Sequence, residues 1–322
     1  MSSRNLNNSR GLVKSKSISY SKWGYIFLLP FFVTFAIFAL YPLLSTFYYS
    51  FFKYYQDMSS FGVEVGPTFI GMENFKSLFS EGLKSEIFKY FYNTFIMWII
   101  GFIPQIVISL LFAKWFTDLR LNLKATGFFK VIIYLPNIIM AASMAMIFFL
   151  LFDANGPINN LLMNQFGVDE KIRFFTMPWA TRGIIAFINF IMWYGNTTIL
   201  LMAAIMGVDI SLYESAQIDG ANSSTIFFKI TLPLIRPILV FVLITSLIGG
   251  IQMFDIPNTM SFGSGTPNMT TMTVVMYLNR LLGTSKNYGM GGAVSVILFI
   301  VAAILSFLVF RMNSEPKKKG AK

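Results

Sequence analysis

Ser211 and Glu214, three residues apart, fit the reciprocal arrangement in which a hydroxyl and a carboxylate each satisfy a backbone donor at a helix start. The spacing predicts a short helix from Leu212 to about Asp219. Gly220 follows, the residue type best able to take the left-handed conformation after a helix end. Asn222 or Ser223 can then cap a second helix carrying Phe227, Phe228 and Ile230, with Pro233 closing the segment. This chemistry is mechanical. For catalysis the chain offers little: with no His and no Cys it lacks imidazole bases, thiolate nucleophiles, disulfides and the commonest zinc ligands. Nor does it contain G-x-x-x-x-G-K-[ST], so it has no phosphate-cradling loop of its own.

The elements that must position this segment are membrane spans. Of the 322 residues 55% are hydrophobic and only 12% charged, and the mean hydropathy is +0.64, too little polar surface to coat a soluble globule. Six runs free of Asp, Glu, Lys and Arg, each roughly 20 residues or longer, can cross hydrocarbon as helices: 23–52, 90–113, 131–152, 183–208, 237–254 and 287–310. A seventh, 256–279, is rich in Asn, Thr, Ser, Gly and Pro and reads as an external loop. The first run is too long for a cleavable signal and reads as a retained span. Pro30, Pro42, Pro104 and Pro136 lie in or near spans, where neighbours can satisfy the freed backbone groups; kinks that shape a cavity and ordinary packing both account for them.

Basic residues set the orientation, because Lys and Arg stay on the cytoplasmic side. The amino-terminal tail (Arg4, Arg10, Lys14, Lys16, Lys22), the second connection (Lys114, Arg120, Lys124, Lys130) and the carboxyl end (Arg311, Lys317, Lys318, Lys319, Lys322) must share that side. Six spans then place both termini and the loop 209–236 in the cytoplasm. Segments 53–89, 153–182 and 255–286 fall outside. The net charge of +11 is gathered beside the spans, which argues against nucleic acid as a partner.

A helix of about eight residues is marginal in water on its own. Two supports fit its residues. It can rest on the inner membrane surface as an amphipathic helix, or it can dock in a cleft of a cytoplasmic partner, with Ser215 and Ala216 permitting close approach and Leu212, Tyr213 and Ile218 as knobs. Its acidic residues favour the partner, since the inner leaflet is itself negative.

The stretch YESAQIDGANSSTIFFKITLPLIRP resembles the signature loop of the membrane subunits of ATP-binding-cassette importers. The matching positions are Glu214, Ser215, Ala216, then Asp219, Gly220 and Ala221, then Ile230, Leu232, Pro233 and Pro237; Ser215 replaces the usual alanine and stays small. YIFLLPFFVTFAIFALYPLLSTFYYSF, FIGMENFKSLF and YLPNIIMAASMAMIFFLLFDANGPINNLL look like the first span, the first external loop, and the third span with its following loop, of the carbohydrate-uptake branch. The likeness is greatest to the first-permease type of maltose and glycerol-phosphate importers. It implies an all-α membrane protein with six transmembrane helices in the type I importer permease fold, in a bacterial plasma membrane. Residues 1–22 and 312–322 would be cytoplasmic basic tails and 23–311 the permease domain, with 209–236 as its coupling-helix loop. It also implies a second permease subunit, two ATPase subunits that hold the ATP and magnesium, and an external solute-binding protein. The chain itself would bind no cofactor and no metal and would not be an enzyme.

In that picture Leu212, Tyr213, Glu214, Ser215, Ala216, Asp219 and Gly220 engage the ATPase, with Glu214 either capping alone or also pairing with a basic group. A sugar needs hydrogen-bonding groups and ring faces in an apolar wall. The fourth run supplies Asn189, Trp193, Tyr194, Asn196, Thr197 and Thr198, and the fifth Thr245, Ser246 and Gln252. By resemblance the pathway residues are Trp193, Tyr194, Asn196, Thr245 and Gln252. The same polar groups can instead tie helices together. The external segments suit docking of a binding protein or are ordinary solvated loops. An ion-gradient transporter is the competing class, disfavoured because no Asp or Glu lies within the six runs. A scaffold without transport would not need the polar stripe.

Overall fold

A computed structural model describes residues 21–60, 62–118, 121 and 123–313. The tails assigned to 1–22 and 312–322 lie, apart from residues 21, 22, 312 and 313, outside the described residues. The chain divides at Thr46 into two units. In the first, α1 (Ser21–Phe35) runs through a π-helical turn, Ala36–Leu40, into α2 (Tyr41–Tyr49), whose last turn belongs to the second unit.

The second unit opens with a hairpin, β1 (Phe52–Asp57) antiparallel to β2 (Val63–Phe69), pairing Phe52 with Phe69 and Asp57 with Val63. The short α3 (Glu73–Leu78) follows, then α4 (Glu86–Thr117), α5 (Thr126–Ile138), α6 (Ala141–Leu151), α7 (Pro157–Phe166) and α8 (Pro178–Met206). The segment 209–236, expected to be the coupling segment, holds α9 (Ile210–Ile218), α10 (Ser223–Ile226), a second π turn (Phe227–Thr231) and α11 (Leu232–Leu234). The chain ends in α12 (Arg236–Ile251), α13 (Asp255–Ser261), α14 (Val274–Gly283) and α15 (Tyr288–Asn313).

Among the described residues five helical stretches are long and apolar enough to cross a membrane: Lys22–Tyr49, Glu86–Thr117, Pro178–Met206, Arg236–Ser261 and Tyr288–Arg311. The expected third span is not one rod. It is α5 and α6, bent by 91° at Ile139 and Met140, which take extended backbone, and it makes the sixth crossing if the pair is counted together. The bend follows Asn137, whose side-chain amide donates to the Met192 carbonyl at 3.1 Å and fastens the end of α5 to α8. The fold is therefore helical apart from its hairpin, as expected, with one span broken.

The centre is the crossing of α4 and α8. Small residues let these helices approach where no hydrophobic force drives them together in lipid. A Cβ on Gly101 would stand 2.8 Å from the Ala186 carbonyl oxygen, and one on Gly195 would overlap the Ile133 carbonyl of α5. Met97, Ile185, Ile188 and Met192 fill this interior with Met253, Ile256 and Met260.

Ile256 and Met260 belong to the run expected to be an external loop. Instead Ile256, Met260, Met272, Val274 and Met276 are buried. The run is packed into the fold despite its low hydropathy because side chains satisfy its backbone: Asn93 donates to the carbonyls of Met269 (2.9 Å) and Met272 (3.1 Å), and Thr94 accepts from the Val274 N–H.

Each π turn ends two residues before a proline, Pro42 or Pro233. A proline ring clashes with the carbonyl four residues back, and the wider turn moves that carbonyl aside. Pro233 therefore does not close its segment as expected; the helix passes through it to Leu234 and turns at Ile235 into α12.

Candidate functional site: the coupling segment and the polar faces of α8 and α12

At the end of α8 the chain turns at Gly207 and Val208, and Asp209 caps α9 by accepting the Ser211 N–H at 2.9 Å. Ser211 bonding holds this exposed carboxyl below the ordinary carboxylate range. The expected capping box of Ser211 with Glu214 is not formed. Asp209 lies two residues before Ser211, close enough to take that N–H, so the helix starts at Ile210 and leaves Glu214 exposed on its second turn.

The other end of α9 is closed by backbone alone. The Gly220 N–H donates to Gln217 at 3.0 Å and the Ala221 N–H to Ala216 at 2.9 Å, the paired bonds of a Schellman ending, with Gly220 at φ +76°. Asn222 then caps α10 through the Thr225 N–H at 2.7 Å, as one of its two expected residues. Ala216 is buried and Tyr213 half-buried, while Leu212, Glu214, Ser215, Asp219 and Ile218, the last 86% exposed, face outward. The hydroxyls of Tyr213 and Thr231 lie 3.4 Å apart and join the two halves of the segment.

The polar residues of α8 and α12 separate into two sets. Some tie helices together: the Gln105 amide donates to the Thr197 hydroxyl at 2.8 Å, the Ser109 hydroxyl to the Tyr194 carbonyl at 2.8 Å, and the Trp98 indole N–H to the Ser246 hydroxyl at 3.1 Å. Thr198 bonds back to Tyr194 within its own helix. The Tyr194 ring lies tilted against Phe190 and near Phe112 of α4, which places it in the helix contact. The second set is open. Asn189, Trp193 and Asn196 follow one face of α8 at helical spacing, with Trp193 46% exposed and the two amides half-exposed. Thr245 on α12 and Gln252 at its C-cap, seven residues apart, are exposed, although the Thr245 hydroxyl also donates to the Phe241 carbonyl. Four of the five expected pathway residues thus lie on open faces, and Tyr194 does not.

Charge-based reading missed Arg182 because it ended the fourth run there. Arg182 is inside α8 and 6% exposed; it donates to the Thr270 carbonyl at 2.9 Å and to Asn93 Oδ1 at 2.6 Å, with the rings of Trp179 and Tyr92 at 5.1 and 5.6 Å. It braces the end of α8 away from the coupling segment. Among the described residues no cluster of acidic side chains could hold a metal ion.

Residues 105–320, two thirds of the chain, match the family of binding-protein-dependent transport system inner membrane components. The chain belongs to this family. The permease is 29% identical over 300 residues to the lactose transport system permease protein LacF of Rhizobium radiobacter, across 92% of this chain and 96% of that one. It is 28% identical over 312 residues to the arabinooligosaccharides transport system permease protein AraP of Bacillus subtilis (strain 168), across 95% and 93%. Its fold is similar to a chain of a bacterial ABC transporter involved in the import of the acidic polysaccharide alginate, with a TM-score of 0.72, 24% identity and coverage of 94% and 99%. A second structure, that transporter in complex with an alginate pentasaccharide-bound periplasmic protein, matches with a TM-score of 0.70 at 25% identity, over 95% and 99%. The permease has the type I importer permease fold. It is a multi-pass membrane subunit of an ABC importer and not an enzyme, ATP hydrolysis belonging to a separate subunit. Membership in this family sets aside the ion-gradient and scaffold readings.

Proposed function

We propose that this permease forms half of the translocation pathway of an ATP-driven sugar importer in a bacterial plasma membrane. A second permease subunit supplies the other half, two ATPase subunits hold the ATP and magnesium, and an external binding protein delivers the solute. Both termini and the coupling segment face the cytoplasm. One observation carries the reading: α9, nine residues long, is closed at both ends by its own groups and keeps Leu212, Glu214 and Ile218 exposed at the root of two spans. So short a helix is a rigid contact for a partner when its ends are fixed. Leu212, Tyr213, Glu214, Ser215, Ala216, Asp219 and Gly220 are the residues that seat on the ATPase, with Glu214 free of capping and available to a basic group.

Nucleotide closure draws the two coupling segments together, and the attached helices rock between inward-open and outward-open states. Trp193, Asn196, Thr245 and Gln252 line the path, with Tyr194 behind them. Support for a sugar comes from relatives named for lactose and arabinooligosaccharides and from the mixture of amides, hydroxyl and indole on the open faces. The test is purification of the tagged permease from its native membrane. The ATPase and second permease should accompany it, and the binding protein, titrated with mono-, di- and oligosaccharides, should select among them. A permease recovered without an ATPase would refute the importer reading, and a binding protein that ignores every sugar would refute the substrate class.

A further inference from the structure

The coupling segment is fastened to a third helix besides the two it joins. Lys114 stands in the last turn of α4 and Asp118 just past its end. The Ser223 hydroxyl donates to Asp118 Oδ2 at 3.1 Å, and Lys114 Nζ lies 5.1 Å from the centre of the Phe227 ring. Ser223 and Phe227 belong to the returning half of the segment, after Gly220. Between these contacts and α9 lies a cavity of about 230 Å³, bordered by Tyr213 and Gln217 of α9, Ile205 of α8, and Lys114 and Asp118. Deeper, Ala113 of α4 is fully buried against the cluster that includes Ile205 and Ile235, the residues at which the segment leaves α8 and enters α12.

We propose that Lys114 and Asp118 are positioning residues that carry the stroke of the coupling helix into α4, alongside the route through its covalent neighbours. The proposal rests on the importer reading above. A short helix pressed by a partner over an unfilled space would tip into that space unless its returning half were held. The hold is a hydrogen bond to a carboxylate and a cation over a ring, and both anchors sit at the end of α4, Lys114 in its last turn and Asp118 as its C-cap. From Asp118 back to Trp98, α4 is about 30 Å of helix, and along it Gln105 bonds Thr197 of α8 and Trp98 bonds Ser246 of α12. A push at the end of α4 therefore reaches the two helices that carry the open polar faces.

The experiment uses the complete importer in lipid vesicles, with binding protein, and reads solute moved per ATP hydrolysed. A labelled panel of lactose, maltose and arabinooligosaccharides serves as probe. Ser223→Ala and Asp118→Ala should each lower the ratio about tenfold, the worth of one hydrogen bond to a charged group. The double variant should fall no further than the worse single, and Ser223→Thr, which keeps the hydroxyl, should restore the ratio. Lys114→Met should lower it about threefold. Additive losses, or a Ser223→Ala importer that couples as the wild type does, would overturn the α4 route. If Asp118→Ala fails to assemble, the Ser223→Ala and Ser223→Thr pair decides alone. A wild-type permease that retains no ATPase sinks the importer reading instead, so the two failures are distinct.

Discussion

Replacement of Gly220 isolates the one backbone position on which the shape of the coupling segment turns. Its φ of +76° lies in the left-handed region, and nothing stands within 4 Å of where a Cβ would project. A side chain there meets no neighbour, so the whole effect of substitution is conformational. An L-residue in this region costs about 1–2 kcal/mol, less for Asn, whose short polar side chain tolerates it, and more for a β-branched residue. At the middle of that range the Schellman ending is about tenfold less populated relative to frayed states. Gly220→Ala should therefore lower hydrogen-exchange protection at the Ala221 amide, which donates to Ala216, about tenfold, and lower transport per ATP in parallel. Gly220→Asn should do less and Gly220→Val more. Gly220→Pro should be worst, because it fixes φ near −65° and removes the N–H that donates to Gln217. Equal protection in the Ala, Asn and Val variants would show that the turn is not held by its φ, and the reasoning would fail.

Arg182→Met keeps apolar volume but strips buried Asn93 and Thr270 of a donor; it should destabilise the detergent-solubilised permease by about 2–4 kcal/mol, with Arg182→Lys intermediate, both read as thermal unfolding. Gln105→Leu or Thr197→Val alone should each cost about 1 kcal/mol by leaving one buried partner unmatched, while Gln105→Leu with Thr197→Val should be nearly neutral; a double variant worse than both singles would refute the pairing. The carboxyl of Asp209 titrates below its usual 3.8 in the folded segment, so its cap is intact at higher pH and is lost as pH falls through that depressed value. Exchange at the Ser211 amide should then be independent of this group from pH 7 down to about pH 4 and should lose protection only in stronger acid. Asp209→Ala should remove that acid-dependent step and leave the amide weakly protected throughout.

Much of the architecture was legible because hydrocarbon imposes a simple rule: a run without Asp, Glu, Lys or Arg becomes helix, and a glycine after a short capped helix ends it. Gly220 and Asn222 obeyed that rule locally. Hydropathy has no term for direction, so the only sequence sign of the right-angled break at Ile139 and Met140 was Pro136, and the bond from Asn137 to α8 beside it gave none. Nor does it register satisfaction by distant side chains, which is why 256–279 looked like a loop although Asn93, Thr94 and Arg182 hold it inside. Drawing span limits at the first charge excluded Arg182 itself. At the coupling segment two carboxylates competed for one helix start, and proximity to the Ser211 N–H, not the familiar spacing with Glu214, decided it. In the pathway set, residue type alone could not divide Thr197 and Ser246, which fasten helices, and Thr198, which bonds within its own helix, from Trp193, Asn196 and Gln252, which stay open.

Those open faces have an implication for how the protein is made. An orphan copy would set the amides of Asn196 and Gln252 and the indole of Trp193 against acyl chains that can return no hydrogen bond. With a second permease as the proposed companion, surplus chains lacking it should accordingly be short-lived, and the side chains themselves would then call for matched synthesis of the two halves.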